Sequence, residues 1–444
     1  MRRLSLVLLL TAFVALLVAG CTKVDEAPSA PSAASKPGAP TGPTTELVLF
    51  TWTARDEEQV NQEIIKEFEA ANPGITVRLQ NETGGSQTAM QKLQTMISAQ
   101  QGPDVISIHG AFFIPLAAKG ALLSLDERMA GDPAFNAADF SPALLELCKY
   151  EGKIYSLPRY TSVYCLFYNK TLFDEAKVAY PPVSGEWTWH HYLAAAKKLT
   201  KDTDGDGKID QWGCVIDFWG ARIYPWLWQN GASLMNADRS RCTLDSPEAI
   251  EAMQFLYDLR HKHKVAAAAS NSDHDAGLTA FTQGHIGMYM TGPWDIQTLR
   301  QAKTLQWDVA PLPRKKQKAT MLGTENYGIW SGTKHPDEAW KLFAFLMSPE
   351  VQTKMAERLE KMPSRTSVLQ GPYLQGSPGF DRKVFVDAIA YGRQPENIPE
   401  WSQVKDLIQN QLDLIWVQKT TVAAGLKKAA ADVNKTLTEL RAKK

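Results

Sequence analysis

The sequence predicts an α/β protein of two lobes, and three observations support this fold class. Strand and helix signals alternate from residue 47 onward, which favours parallel sheets wrapped by helices. A second series of such signals begins near residue 212, and 444 residues are too many for one simple core. The composition is that of a globular protein, with 44% hydrophobic residues and 48 basic against 48 acidic residues. A chain without net charge gives no electrostatic reason to expect nucleic acid or an anionic membrane surface as its main partner.

The first lobe is predicted from a β-α-β-α-β succession. Short apolar runs indicate strands, and apolar residues spaced three and four apart indicate helices. Open parallel sheets bind ligands outside the carboxyl ends of their strands, and Trp52, His109 and Phe112 lie at such ends. The predicted elements are a strand at 47–50, a helix at 60–71, a strand at 75–79, a helix at 90–97 and a strand at 105–108.

The second lobe shows the same pattern. One strand is predicted at 212–218 and runs into Trp219, and another is predicted at 287–291 and runs into Gly292-Pro293-Trp294. Ser246-Pro247 is typical of a helix cap followed by the first helical residue. Trp219 and Trp294 are therefore also expected at the ligand edge of a sheet.

The first residues have the pattern of an export signal. Arg2 and Arg3 precede an apolar run at 4–18, which is too short for a bilayer-spanning helix of about 20 residues. Val18-Ala19-Gly20-Cys21 resembles a bacterial lipobox, so we expect residues 1–20 to be removed and Cys21 to carry a lipid. An ordinary secretory peptide is the alternative. The segment 21–45 is rich in Pro, Ala and Ser and is expected to form an extended tether.

Four cysteines remain in the body of the chain. No Cys-x-x-Cys motif occurs, so neither a zinc site nor a redox motif is expected. An exported protein can form disulfides, and the sequence leaves open whether these residues are buried thiols or form one or two disulfides. They are Cys148, Cys165, Cys214 and Cys242.

Several short motifs occur along the core in a defined order. They are Phe68-Glu69 with Asn72-Pro73-Gly74-Ile75, Gly102-Pro103-Asp104-Val105, Leu157-Pro158-Arg159-Tyr160, Phe167-Tyr168-Asn169-Lys170, Trp187-Thr188-Trp189, Gly292-Pro293-Trp294 and the segment 336–350. In this order they resemble the bacterial extracellular solute-binding proteins of family 1. These are relatives of the maltodextrin-binding protein and serve sugar-importing ABC transporters. The resemblance spans the whole core.

The resemblance implies the periplasmic-binding-protein-like type II fold, in which two lobes of discontinuous segments are joined by a hinge. The N-lobe would comprise 46–158 and 311–355, and the C-lobe 159–310 and 356–444. A ligand that touches both lobes favours their closed arrangement. The implied protein is not an enzyme. It is a monomeric, lipid-anchored receptor of the periplasm or cell surface that delivers a sugar or oligosaccharide to ABC permease subunits.

A sugar site needs particular side chains, because a pyranose has an apolar face and a rim of hydroxyls. Aromatic rings suit the face, and charged or amide groups suit the rim. Trp52, Trp219 and Trp294 are the leading stacking candidates, with core packing as the alternative for each. Arg222 and Asp295 could equally form a structural ion pair. The further candidates are Phe112, Tyr160, Tyr224, Tyr327 and Trp401 as aromatic residues, and His109, Arg159, Arg222, Asp295, Glu325 and Asn326 as hydrogen-bonding residues.

An acidic segment resembles the first half of a calcium loop. Carboxylates occupy positions 1, 3, 5 and 9, with Gly207 at position 6, but Gly213 replaces the expected Glu at position 12. The sequence therefore leaves open a structural Ca²⁺ site or a solvated Asp-Gly turn, and no other cofactor is expected. The carboxylates belong to Asp202, Asp204, Asp206 and Asp210.

Two other function classes remain open. A secreted carbohydrate-active hydrolase would also use a Trp-lined cleft with paired carboxylates, although no His-Glu-x-x-His or Gly-x-Ser-x-Gly motif supports an enzyme. A receptor of the same fold for a non-sugar solute would need several basic or several acidic residues at strand ends, and neither cluster is evident.

Overall fold

The computed structural model describes residues 44–53, 55–216, 220–268, 274–376, 379–395 and 398–442. The predicted export signal, Cys21, most of the tether and Trp219 lie outside these ranges. Within them, no helix combines the length and the apolar character that crossing a membrane requires.

The strands form two main sheets and one short hairpin. Their bounds are β1 (Thr45–Thr51), β2 (Ile75–Asn81), β3 (Val105–His109), β4 (Lys149–Tyr150), β5 (Lys153–Ile154), β6 (Leu157–Val163), β7 (Cys165–Asn169), β8 (Trp212–Ile216), β9 (Ala266–Ala268), β10 (Ile286–Thr291), β11 (Trp307–Ala310), β12 (Thr320–Ile329) and β13 (Gly392–Arg393).

The helices surround these sheets. They are α1 (Arg55–Ala71), α2 (Gly85–Ser98), α3 (Gly110–Ala118), α4 (Asp126–Gly131), α5 (Pro142–Glu146), α6 (Lys170–Glu175), α7 (Trp189–Leu199), α8 (Gly220–Gln229), α9 (Pro247–His261), α10 (His274–Thr282), α11 (Ile296–Gln301), α12 (Pro336–Leu346), α13 (Pro349–Leu359), α14 (Thr366–Gln370), α15 (Pro372–Gln375), α16 (Lys383–Ala388), α17 (Trp401–Trp416) and α18 (Val422–Arg441), with short 3₁₀ turns at Pro133–Phe135, Ala137–Asp139, Pro293–Asp295 and Ile389–Tyr391.

The first sheet has the strand order β13-β12-β3-β1-β2, and β6 pairs with β12. Strand β1 runs parallel to β2 and β3, which confirms the predicted β-α-β-α-β unit. Strand β12 is antiparallel to both β3 and β6, so the sheet is mixed. The reason is that β12 returns from the other half of the molecule and enters the sheet in the opposite direction. We call the half built on this sheet the first lobe.

The second sheet has the order β11-β7-β10-β8-β9 and defines the second lobe. Strands β10, β8 and β9 are parallel, whereas β7 is antiparallel to β10 and β11. The strands predicted at 212–218 and 287–291 are β8 and β10. Strand β8 is described as far as Ile216, so the predicted end of that strand lies outside the described residues.

Helix ends and apolar faces follow the sequence pattern. The helix predicted at 60–71 is confirmed as part of α1, and Val60, Ile64 and Phe68, which are spaced four residues apart, are buried in the first-lobe core. The predicted cap of α9 is also confirmed, since Ser246 Oγ accepts a hydrogen bond from Ala249 N at 3.3 Å. These local signals therefore located the helices that cover each sheet.

The chain passes between the lobes at β6 to β7 and again at β11 to β12. Strand β12 runs through both regions: Met321 packs against the second-lobe core, and Tyr327 is buried in the first-lobe core. On the connection before β12, Leu312 and Ala319 also pack in the second-lobe core. The predicted lobe boundaries stay a prediction. No disulfide joins the four cysteines of the described body, and all four are buried.

Candidate ligand-binding site

Three rings meet at the carboxyl ends of β1 and β3. The ring centroids of Trp52 and His109 lie 5.9 Å apart, and those of His109 and Phe112 lie 6.1 Å apart. All three side chains are partly exposed, and Trp52 and Phe112 also pack against a buried apolar cluster of the first lobe. We call these residues the first-lobe aromatic cluster. It lies at the edge where an open α/β sheet takes its ligand.

Side-chain hydrogen bonds fix the backbone around this cluster. Asn81, at the end of β2, accepts a hydrogen bond from Thr53 N at 2.9 Å and donates to the Thr53 carbonyl at 3.1 Å. His109 is the N-cap of α3, and its Nδ1 accepts from Ala111 N at 3.2 Å. The residues that follow β1 and β3 are therefore held in place by local bonds.

A second aromatic pair lies beyond the end of β10. The rings of Tyr164 and Trp294 meet edge to face, with centroids 5.2 Å apart. Trp294 is partly exposed, packs against the second-lobe core and covers Gly292, where a Cβ would come within 2.1 Å of its Cζ3. This close approach of ring and backbone requires glycine. Tyr164 was not predicted as a site residue, although it lies four residues after the motif Leu157-Pro158-Arg159-Tyr160, at the predicted boundary between the lobes.

The two aromatic groups border the strands that join the lobes. Glu325 on β12 pairs with His109 on β3 and with Tyr160 on β6. Strand β6 then leads to Tyr164 and contacts the turn Pro293–Asp295, which carries Trp294. One aromatic group thus lies on each side of the β6–β12 ladder.

Arg159 is the centre of a buried network in the first lobe. Its Nη2 lies 2.6 Å from Glu57 Oε1 and also contacts the carboxylate of Glu325. Lys361 Nζ lies 2.8 Å from the other oxygen of Glu57. Because two cations balance two carboxylates, these groups form a neutral cluster, which we call the Arg159 network.

Two phenols complete the Arg159 network. Nη1 of Arg159 donates to Tyr327 Oη at 3.0 Å, and Nη2 donates to Tyr160 Oη at 2.8 Å. Burial raises the pKa of both phenols. Burial also opposes the charge of Glu57, but Arg159 and Lys361 lower the pKa of this carboxyl overall. Four predicted ligand residues, Arg159, Tyr160, Glu325 and Tyr327, therefore make polar contacts with one another.

Arg222 and Asp295 make structural contacts in the second lobe. Arg222 is buried and donates to the Met290 carbonyl at 2.6 Å and to Tyr289 Oη at 3.2 Å. Asp295 is also buried and accepts a hydrogen bond from the Thr291 hydroxyl. These bonds hold α8 and the turn after β10 against that strand.

The remaining predicted residues are placed as follows. Tyr224 is buried and stacks on Trp228, with centroids 5.7 Å apart. Asn326 is buried and donates to Ser156 Oγ at 3.1 Å. Trp401 begins α17 and packs against the second-lobe core. Of the predicted set, the structure brings Trp52, His109 and Phe112 together as partly exposed rings.

The profile described as bacterial extracellular solute-binding protein matches residues 53–353. This protein belongs to that family. It is similar to an ABC substrate-binding protein of Listeria monocytogenes in complex with cycloalternan, with a TM-score of 0.81 and 28% identity over 89% of this chain and 99% of that chain. A solute-binding protein of Thermotoga lettingae bound with α-D-tagatose gives a TM-score of 0.78 and 27% identity over 89% of this chain and 100% of that chain. The maltotriose-binding protein of Pyrococcus abyssi is 24% identical over 367 residues, which are 80% of this chain and 75% of that protein.

These similarities confirm the family and the two-lobed type II fold that the sequence motifs predicted. Members of the bacterial extracellular solute-binding family are binding proteins rather than enzymes. The partly exposed rings at the strand ends are therefore the part of this family member that best suits a bound solute.

A separate crevice of about 380 Å³ lies between the two lobes of this family member. Tyr150 and Glu151 line it from the β4–β5 hairpin, and Asp238 and Arg239 line it from the second lobe. No residue of the first-lobe aromatic cluster lines this crevice. The sequence did not indicate it, because its walls come from segments that lie far apart in the chain and share no recognisable pattern.

The predicted calcium loop is exposed, and three of its four carboxylates approach one another. One oxygen of each lies within 4.8 Å of the other two. The backbone N–H groups of Gly205 and Gly207 donate to the carboxylate of Asp202 at 2.7 and 2.8 Å. The fourth carboxylate, that of Asp206, contacts Lys208 Nζ at 3.0 Å. This geometry fits a solvated turn as well as a cation loop, so a structural Ca²⁺ site and a solvated Asp-Gly turn both stay open as predictions. The three carboxylates belong to Asp202, Asp204 and Asp210.

Proposed function

We propose that this protein is a monomeric, lipid-anchored receptor that binds a sugar or oligosaccharide between its lobes and delivers it to an ABC importer. The observation that carries the proposal is the pair of partly exposed aromatic groups at strand ends, the first-lobe aromatic cluster and Trp294. Such rings suit the apolar faces of pyranoses. Cycloalternan and tagatose, which are bound to two structural relatives, support a carbohydrate ligand.

The charged residues near the strand ends favour a neutral solute. Arg159 and Arg222 donate to protein groups, and the carboxylates of Glu57 and Glu325 lie against Arg159. A phosphate would need basic side chains aimed at the ligand, and a polyamine would need carboxylates aimed at it. Since these charges already have protein partners, a sugar is favoured over either solute.

Anchoring at Cys21 would keep the receptor close to its permease. If the Pro-, Ala- and Ser-rich segment 21–45 is as extended as its composition predicts, at about 3.1 Å per residue, it would let the body move while raising its effective concentration at the membrane. A Cys21→Ser variant is expected in the soluble extracytoplasmic fraction, whereas the wild type is expected with membranes. Equal membrane retention of both proteins would contradict the anchor.

A hydrolase is the second candidate, and the buried carboxyl group of Glu57 is poorly suited to the acid role that a hydrolase needs. A glycosidase needs one carboxyl group with a raised pKa as proton donor and a second carboxylate. The pKa of Glu57 is lowered, because Arg159 and Lys361 outweigh the effect of burial. Glu57 is therefore a poor proton donor, and we favour binding without turnover because members of the family are binding proteins.

Titration calorimetry against single sugars tests the proposed function. Maltotriose, mannotriose, cycloalternan and tagatose would be added one at a time to the purified protein. We expect saturable heat at one site per chain and an unchanged sugar on chromatography afterwards. Continuous heat with product formation would establish the hydrolase instead. Binding of a non-sugar, identified by native mass spectrometry of protein from its host, together with no heat from any sugar, would refute the carbohydrate ligand.

A further inference from the structure

We propose that His109 is a specificity-determining residue, a neutral imidazole whose Nε2–H donates a hydrogen bond to an oxygen of the bound sugar. The inference rests on the proposed function and assigns one atom of the site a role. His109 lies at the end of β3, and its ring is near those of both Trp52 and Phe112.

The capping bond determines the tautomer of His109. Its Nδ1 accepts from Ala111 N at 3.2 Å, and the backbone of His109 is extended as an N-cap requires, with φ −64° and ψ 131°. A ring nitrogen that accepts a hydrogen bond carries no proton, so the proton of the neutral imidazole is on Nε2. The fold of α3 therefore fixes which nitrogen is the donor.

The surroundings keep this imidazole neutral. Although an edge of the ring is exposed, protein atoms pack around most of it, and this loss of water lowers the pKa of His109, which Glu325 on β12 opposes only in part. The Glu325 carboxylate is itself engaged by Arg159 and Ser107. Helix α3, Gly110–Ala118, contains no charged residue. The positive N-terminal end of its dipole disfavours a protonated, positively charged His109 at the cap. Trp52 and Phe112 contribute only uncharged rings.

The remaining nitrogen is placed to meet a ligand. Nε2 of His109 makes no hydrogen bond with any residue that the structure describes, and it is not among the enclosed nitrogens that lack a partner. A donor beside two partly exposed rings matches a sugar, which offers oxygen acceptors around an apolar face. The bond would orient the sugar that the rings hold.

Nuclear magnetic resonance tests the protonation state without a ligand. Long-range ¹H–¹⁵N spectra of histidine-labelled protein, with His109 assigned through a His109→Asn variant, report which ring nitrogen carries the proton. We expect the Nε2–H tautomer at pH 7.5 and a titration midpoint below pH 6.5, the ordinary pKa of histidine. A proton on Nδ1, or titration at or above pH 6.5, would overturn the inference.

Calorimetry with matched variants tests the hydrogen bond to sugar. His109→Asn retains a good capping side chain but loses the ring donor, so we expect an unchanged melting temperature and about tenfold weaker binding of the best sugar in the panel. The exposed His190→Asn variant is the control and should bind like the wild type.

Monodeoxy analogues of that sugar identify the acceptor. One analogue should lose about tenfold in affinity for the wild type and lose little for His109→Asn, because the bond is already absent there. The inference would be overturned if every analogue lost the same affinity for the wild type and for His109→Asn, or if His109→Asn bound the parent sugar as tightly as the wild type. Either result would leave the proposed function standing. If the wild type binds no sugar at all, the proposed function fails and this inference falls with it.

Discussion

Arg159 Nη2 lies 2.6 Å from Glu57 Oε1, and this contact joins strand β6 to the first turn of α1. Because β6 is one of the strands that cross between the lobes, the Arg159 network holds its first half to the first lobe. We therefore expect any bending of β6 to occur beyond the network, toward Val163 and Tyr164. The network is therefore expected to matter for stability more than for direct contact with solute.

Replacing Arg159 with Met should destabilise the protein strongly. The change leaves the buried carboxylates of Glu57 and Glu325 facing each other without their shared cation, which costs about 3–5 kcal/mol in other proteins. Urea unfolding at pH 7 measures the loss. Arg78→Met, which removes an exposed pair with Glu46, is the control and should cost less than about 1 kcal/mol. Equal effects of the two changes would show that the network contributes little.

The Arg159 network should also make stability depend on pH in the acid range. The pKa of Glu57 is lowered from 4.5, so its contribution is present above pH 4.5 and is lost as the pH falls through the folded-state pKa. The stability difference between wild type and Glu57→Gln should therefore narrow between pH 6 and pH 3.5. Denaturant unfolding at both pH values measures it. A difference that stays constant would argue against a charged Glu57 in the folded protein.

Replacing Trp294 with Ala should weaken sugar binding. If the ring stacks on the sugar, its loss should cost roughly 2 kcal/mol, or about 30-fold in Kd. Calorimetry measures the affinity and thermal unfolding measures the stability. Trp212→Ala is the matched control, because Trp212 is also partly exposed but lies at the amino end of β8. Unchanged affinity with a lowered melting temperature would assign Trp294 to the core.

Replacing Gly292 with Ala should reproduce part of that loss without removing the ring. The added Cβ would come within 2.1 Å of Trp294 Cζ3, so the ring must turn away. We expect weaker sugar binding and a shifted tryptophan emission spectrum. Gly131→Ala is the control, because no atom lies within 4 Å of a Cβ added there. Wild-type affinity and emission in Gly292→Ala would show that the ring position is not critical.

The acidic loop should keep its shape without a metal. Backbone N–H groups already donate to Asp202, and Thr203 N donates to Asp210 Oδ2 at 2.7 Å. We therefore expect EDTA and Ca²⁺ to change the melting temperature by less than about 1 °C, since a tightly bound ion would add RT ln(1 + [L]/Kd) to stability. A rise with Ca²⁺ that Asp202→Asn abolishes would establish a calcium site instead.

Much of the fold could be predicted because its signals are local. The stripe of Val60, Ile64 and Phe68 has helical spacing, and the buried strand β1 is a short apolar run. The proximity of Trp52 and His109 could also be predicted, since parallel strands end at a common edge of the sheet. These features depend on spacing along the chain and on one rule of sheet geometry.

The chain alone thus determined the export pattern, the order of the elements in the β-α-β-α-β unit, and the rings at the ends of β1, β3 and β10. Only the tertiary structure decided that Arg159 would be neutralised by Glu57, 102 residues away, and that Tyr164 would meet Trp294. An isolated arginine or tyrosine carries no pattern that names its partner. Such contacts form when distant segments pack together, because a buried charge without an opposite charge is costly and aromatic rings are stabilised by packing against one another.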